Sequence, residues 1–316
     1  KLNHVNKARI YPITPLHDTM ILYPGRQSIK LWNSLFLVPS SAVAQLQKKP
    51  GAYHRPESIT EALQLLDRPE SVVLAGGTKL LASESGLAVD HVVDLQALGL
   101  NQIEGGQDVL SIGATCTLAD LAADLAQNYP TEPASVLLQE VIQREGPNTY
   151  RNAATLGGTI ASRLPDSELL AVLLVLETHL TVAGLSGSEN ISLEAYLGAD
   201  EQETGLISAV RLPWTDGQGA AERVARTPAD YAIVSVDAGR PVEGSGHLAA
   251  TGIAAVPIRI PAAEASVAGG LSEESVPAAA SAAKNAATHP GDFRGDSAYR
   301  AQMAEVLTRR VLRELS

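Results

Sequence analysis

The chain has 316 residues, 45% of them hydrophobic, with a formal net charge of -11. That length carries a sizeable core divided among two or three domains, and the acidity argues against nucleic acid as a partner. A single cysteine, Cys116, excludes an internal disulfide and any iron–sulfur cluster ligated by cysteines of these residues alone.

Pro12, Pro15, Pro24, Pro39 and Pro50 punctuate residues 1–50, which read as an extended arm with one short helix at 40–48. Residues 10–22 lack a signal-peptide pattern, because Pro12, Pro15, His17 and Asp18 interrupt them. No segment approaches the ~20 apolar residues that cross a bilayer. The longest apolar run, 169–176, ends at Glu177. With one thiol, expected as a small buried hydrophobe, the setting expected is cytoplasmic and reducing, with no membrane span.

Ser58 with Glu61 three residues on is a capping-box signature, and Ile59, Ala62, Leu63 and Leu66 then share a helical face. A strand at 72–75 follows, then Gly76-Gly77-Thr78, then a strand at 91–95. Helix alternating with strand predicts a small unit with parallel strands. A strand at 109–114 leads to a helix capped by Thr117, with Leu118, Leu121, Ala122 and Leu125 on one face. A helix at 135–144, a turn at 145–148, a buried helix at 167–177 and strands at 179–183 and 206–213 complete this half.

Residues 213–221 read as a Gly/polar linker. Two antiparallel strands, 231–237 and 247–255, and helices at 272–287 and 299–315 then form a separate α+β domain. Gly244-Ser245-Gly246-His247-Leu248-Ala249 spells a dinucleotide fingerprint, but no helical pattern follows it, so it reads as a turn. The domains expected are 1–50, 51–110, 111–215 and 220–316.

The stretch most suggestive of chemistry is Val73-Leu74-Ala75-Gly76-Gly77-Thr78-Lys79-Leu80. Adjacent glycines at a strand end let the backbone turn with positive φ and remove the Cβ atoms that would hold a ligand away. Consecutive amides in such a turn can point at one anion. A second stretch of this kind is Thr155-Leu156-Gly157-Gly158-Thr159. Two such turns suggest two backbone clamps on one long, phosphate-bearing ligand.

These residues carry a resemblance. Ala75-Gly76-Gly77-Thr78, then Arg151-Asn152 running into Thr155-Leu156-Gly157-Gly158-Thr159, resemble in order and spacing the FAD-binding subunit of the molybdenum hydroxylases. Examples of that family are the medium subunit of carbon monoxide dehydrogenase and the flavin domain of xanthine dehydrogenase. Tyr53-His54-Arg55-Pro56, Ser111-Ile112-Gly113-Ala114-Thr115 and Asp230-Tyr231-Ala232-Ile233 fit it too, so the likeness covers about residues 51–316.

The resemblance implies an α+β protein with two α/β subdomains of the PCMH/vanillyl-alcohol-oxidase-like fold and a C-terminal α+β domain on a three-stranded type of antiparallel sheet. It implies noncovalent FAD held by residues 73–80 and 155–159, with Glu168 on the ribityl chain, Ile207 against the flavin ring and Tyr231 near its edge. It implies partners as well: a large molybdenum (molybdopterin) subunit and a small [2Fe–2S] subunit, in a dimer of heterotrimers, with NAD or a quinone as acceptor. No residue of this chain is then needed as a catalytic acid or base.

Two departures stand out. Thr159 replaces an Asn, and Glu222 falls where a lysine is expected, with Arg223 beside it. A same-fold scaffold that has lost FAD, and a free-standing flavin oxidoreductase, are the other readings these residues leave open.

Overall fold

Helix alternating with strand predicts parallel pairing near the start of the fold, and the computed structural model has it. The structure describes residues 51–82, 89–106, 108–199, 205–213, 217–241 and 246–316. The arm expected at 1–50 and its short helix lie outside them.

The first unit is β1 (Ala52–His54), α1 (Ile59–Leu66), β2 (Ser71–Leu74) and β3 (His91–Asp94), with all strands parallel in the order β1-β3-β2. Ser58 caps α1 by accepting from the Glu61 amide. The Glu61 carboxylate reaches back one residue further than the capping box predicts, to the Glu57 amide. Ala62 and Leu65 of α1 and Val93 and Leu95 beside it form a small core that also takes Leu206.

The second unit contains β4 (Ile103–Gly105), β5 (Val109–Gly113), α2 (Leu118–Asn128), α3 (Pro133–Arg144), α4 (Asn148–Arg151), α5 (Leu156–Ser162), α6 (Glu168–Val175), β6 (His179–Gly184), β7 (Gly187–Ser192), α7 (Leu193–Gly198) and β8 (Leu206–Pro213). Its five-stranded sheet runs β4-β5-β8-β6-β7, and every pair is antiparallel. The parallel pairing of the first unit does not extend here, because β4–β5 and β6–β7 are tight hairpins and β8 returns to fill the gap between them. β7 escapes sequence reading because it is a polar edge strand, Gly187-Ser188-Glu189-Asn190-Ile191-Ser192, exposed over most of its length. Every residue of α6 is buried, Glu168 included. It is hydrophobic all round because it is packed on all sides, against α3, β10 and β11 among others.

The third unit comprises β9 (Gly217–Val224), β10 (Val234–Pro241), β11 (His247–Thr251), β12 (Ile258–Arg259), α8 (Pro261–Val267), α9 (Ser275–Asn285), a small hairpin β13 (Gly291–Asp292) and β14 (Gly295–Asp296), and α10 (Ser297–Glu314). Its antiparallel sheet runs β12-β11-β10-β9, four strands where a three-stranded type is expected. The difference is β9: much of the expected linker pairs with β10 along its whole length. Its Gly/polar composition hides it, since pairing rather than side-chain burial holds it. Ala279, Ala280 and Ala283 bury a small-residue face of α9, which lets α9 and α10 approach closely. The sequence Gly246-His247-Leu248-Ala249 enters strand β11, with no helix after it, as the turn reading requires. Among the described residues no helix is long and apolar enough to cross a membrane.

Candidate cofactor-binding site

The first bend begins where β2 ends. Gly77 has φ +71, and the Leu81 amide closes the turn on the Gly77 carbonyl at 2.9 Å. Among the described residues, the amides of Gly76, Gly77, Thr78 and Lys79 have no backbone partner. Successive amides without backbone partners can converge on one anion.

The second bend is a different object from the first. Thr155 is the N-cap of α5, and its hydroxyl accepts from the Gly158 amide at 3.1 Å. The Leu156 amide donates to Cys116 O, the Gly157 amide to Ala114 O and the Thr159 amide to Thr155 O, all within 2.9 Å. What reads as a flexible glycine turn is thus a helix start whose amides are already engaged. Gly157 is glycine for packing: a Cβ there would lie 2.7 Å from the Ala114 Cβ and 2.8 Å from the Ala114 carbonyl oxygen.

The two bends touch. A Cβ on Gly76 would overlap the Ala153 carbonyl oxygen and lie 2.7 Å from the Ala153 carbonyl carbon and 3.2 Å from the Ala154 Cα. Between them opens a cavity of about 490 Å³, lined by Gly76, Gly77, Thr78, Lys79 and Leu80 on one side and Thr155, Gly158, Ala161 and Ser162 on the other. A second cavity of about 290 Å³ is lined mostly by apolar groups, among them Leu63, Leu66, Leu95, Tyr196, Leu206 and Ile207. The two share Val73, Ala75, Gly158 and Ala161, so they adjoin as one groove.

Of the residues singled out from sequence, Val73, Ala75, Gly76, Gly77, Thr78, Lys79, Leu80, Thr155, Gly157, Gly158 and Ile207 line these cavities. Leu74, Leu156, Thr159, Glu168 and Tyr231 do not. Leu156 is fully buried core. The Thr159 hydroxyl turns inward and donates to Thr155 O at 3.0 Å. Leu63, Leu66 and Tyr196 were missed: the stripe on α1 looks like any core-facing stripe, and nothing local shows that part of it faces an open slot.

Thr78, which lines the larger cavity, contacts the Tyr150 hydroxyl, and Tyr150 contacts Tyr231, joining the first bend, the approach to the second and the loop before β10. Burial, then the field of Glu145, raises the Tyr150 phenol; burial, then Tyr150, raises Tyr231. Glu168 is buried and accepts from Arg223 at 2.6 Å and Arg144 at 3.3 Å. Arg223 also donates to the carbonyls of Pro228 and Asp230, so it fixes the loop leading to Tyr231. Successive strand residues point to opposite faces. Glu222 accordingly lies away from Glu168, with the Arg310 guanidinium 3.9 Å off, and the cation on the inner face is Arg223. The carboxylate that stands where a lysine is expected is therefore turned away from Glu168.

Glu145 is 2% exposed; its Oε1 accepts from the Ser167 hydroxyl at 2.6 Å and the Leu169 amide at 3.0 Å, while Oε2 has no partner. Burial lifts it from 4.5 to about 7, helped by Glu168 and Asp166 and opposed by those two hydrogen bonds. A raised carboxyl binds more protons folded than unfolded, so its contribution to stability is present below the unfolded value and declines as pH rises to about 7. Glu145→Gln, neutral at every pH, is expected to match wild type at pH 4.5 and exceed it by ~1–3 kcal/mol at pH 8 in urea unfolding. A stability difference that does not change between those pH values would refute this account.

The groove combines a bend whose amides lack backbone partners among the described residues, glycines where its walls come closest, and an apolar slot. The chain belongs to the family described as the FAD binding domain in molybdopterin dehydrogenase, whose profile matches residues 45–215, and the CO dehydrogenase flavoprotein C-terminal domain matches residues 222–315. It is 28% identical over 279 residues to the glyceraldehyde dehydrogenase medium chain of Sulfolobus acidocaldarius, covering 84% of this chain and 98% of that one. It is 27% identical over 278 residues to the carbon monoxide dehydrogenase medium chain of Hydrogenophaga pseudoflava, covering 82% and 95%. The solved carbon monoxide dehydrogenase from that organism, which lacks the Mo-pyranopterin moiety of its cofactor, superposes with a TM-score of 0.75 at 26% identity, covering 84% and 97%.

Proposed function

We propose that this chain is the FAD-binding medium subunit of a molybdenum hydroxylase complex. The observation that carries the reading is the meeting of the two bends, Gly76 against the Ala153 carbonyl, with open amides on one wall of a groove that continues into an apolar slot. The amides of Gly76, Gly77 and Thr78 hold the diphosphate of noncovalent FAD, each charge-assisted contact contributing ~1.5–3 kcal/mol. The slot lined by Leu63, Leu66, Leu95, Tyr196 and Ile207 takes one of the cofactor's ring systems. Tyr150 and Tyr231 line neither cavity and act through Thr78, which Tyr150 contacts at the first bend. Glu168 acts through Arg223, which orders the loop carrying Tyr231.

Bound FAD supplies electron transfer between a donor cluster and an acceptor, and the protein supplies binding, orientation and electrostatics. The single thiol, Cys116, is buried and raised to about 12 by burial, so these residues offer no set of thiolates for a cluster. The [2Fe–2S] donors belong on a small partner subunit and the molybdopterin on a large one. Assembly is as a dimer of heterotrimers in the cytoplasm, and NAD or a quinone reoxidises the flavin.

A scaffold reading rests on Thr159 and Glu222. Thr159 lines neither cavity and Glu222 faces Arg310, so no observation favours it. The test is the visible spectrum of the gently purified protein. Flavin bands at near-stoichiometric amounts are expected; a colourless protein whose melting temperature ignores added FAD would overturn the reading.

A further inference from the structure

Lys79 is the one cationic side chain lining either cavity among the described residues. Its Nζ donates to the backbone carbonyl of Ser162, the last residue of α5. Lys79 stands on the first bend and Ser162 ends the helix that starts at the second, so the side chain crosses the groove from wall to wall.

The charge balance of the groove makes this contact informative. A diphosphate is doubly anionic. The first bend offers it unpaired amides, but the second bend offers little: the amides of Leu156, Gly157, Gly158 and Thr159 are all engaged inside the protein. The counter-charge on that side has to come from a side chain, and among the described residues lining the groove the cation is Lys79.

We infer that Lys79 is a strap that exchanges the Ser162 carbonyl for the diphosphate of the bound dinucleotide, and that this exchange makes the groove prefer a diphosphate over an uncharged nucleoside. The inference rests on the FAD reading above. A carbonyl is a modest partner for an ammonium, whereas an anionic oxygen makes the stronger, charge-assisted bond, so the exchange runs toward the ligand. The lysine is a compact point charge on a long flexible stem, suited to changing partners without moving backbone. The simpler role, a fixed clamp satisfying an end carbonyl of α5, predicts a stability effect and none on ligand charge selectivity.

The experiment measures FAD binding by fluorescence titration from low to high salt, with ADP and adenosine as competitors, for wild type, Lys79→Gln and Lys79→Arg. The unliganded melting temperature is recorded in parallel. Lys79→Gln is expected to weaken FAD about tenfold at low salt, flatten the salt dependence and shrink the preference for ADP over adenosine by a similar factor. Lys79→Arg, which keeps the charge, is expected to retain most of each. Unchanged FAD affinity and salt dependence in Lys79→Gln overturn the strap, as does an arginine variant that falls as far as the glutamine one. Failure of wild type to bind FAD at all overturns the functional reading itself, which separates the two failures.

Discussion

Gly76→Ala is expected to abolish FAD retention and to destabilise the protein by about 3 kcal/mol, through overpacking of backbone on backbone. The new methyl would overlap the Ala153 carbonyl oxygen, and the wall it meets is pinned. The Ala153 and Ala154 amides both donate to Tyr150 O, at 3.0 and 2.7 Å, and Ala154 O accepts from the Leu118 amide at 2.9 Å. Ala154 is 1% exposed, so it has no solvent-side space to retreat into. The first bend must move instead, which takes its amides off the anion position. Gly77→Ala is the informative comparison. Its φ of +71 costs an alanine ~1 kcal/mol, but the atoms its methyl meets are the ends of Leu81 and Leu74 side chains, at 3.0 and 3.2 Å, which can rotate away. Flavin absorbance per protein and urea unfolding should therefore rank Gly76→Ala well below Gly77→Ala. The reverse order would mean that the bends do not press together as described.

Arg300→Met is expected to cost ~3–5 kcal/mol, because it removes a fully buried charge that serves as a hydrogen-bond hub. Its Nη1 donates to Ile233 O at 2.6 Å and Gly252 O at 2.8 Å, its Nε to Gly295 O at 3.2 Å and its Nη2 to Asp292 at 2.7 Å. Truncation leaves the buried Ile233 and Gly252 carbonyls without this donor. Lysine should rescue little, since one ammonium cannot reproduce a planar fork. The effect also has a pH signature. Partial burial works against ionisation of Asp292, but the hydrogen bonds from Arg300 and Arg294 outweigh it and hold the carboxyl well below the usual carboxylate range. A depressed acid contributes stability that is present above its unfolded value of ~3.9 and lost as pH falls through the folded one. The melting-temperature gap between wild type and Arg300→Met should accordingly narrow below about pH 4. A gap independent of pH would show that Arg300 acts only through the carbonyls.

Much of this was legible in the residues themselves. Ser71–Leu74 ending at Gly76-Gly77, the Thr117 cap and its apolar stripe, the all-apolar run of α6 and the long C-terminal helix each carry a local signal: a period, a cap or a run length. The first bend is likewise local, because positive φ and bare amides are properties of a few consecutive residues. The net charge of -11, which argues against nucleic acid as a partner, is a property of composition.

Other features depend on neighbours distant in sequence. That β9 is a strand follows from β10 lying alongside it, and that β7 is one follows from β6. That Arg223 rather than Glu222 faces inward follows from the register of β9 against α6. The second Gly-Gly pair resembles the first in sequence, yet the Gly157 amide and the Leu156 amide before it are satisfied by Ala114 and Cys116, some forty residues away in the chain, and the Gly158 amide by the Thr155 cap. Hydrogen-bond satisfaction is a property of the folded pair, because an amide is free or engaged only by virtue of what lies opposite it. The sequence by itself determined the helices that carry a cap or a long apolar period, the first bend and the glycines that permit a close approach. The tertiary structure decided which of those amides keep no backbone partner among the described residues, and that Lys79 reaches from them across the groove to Ser162.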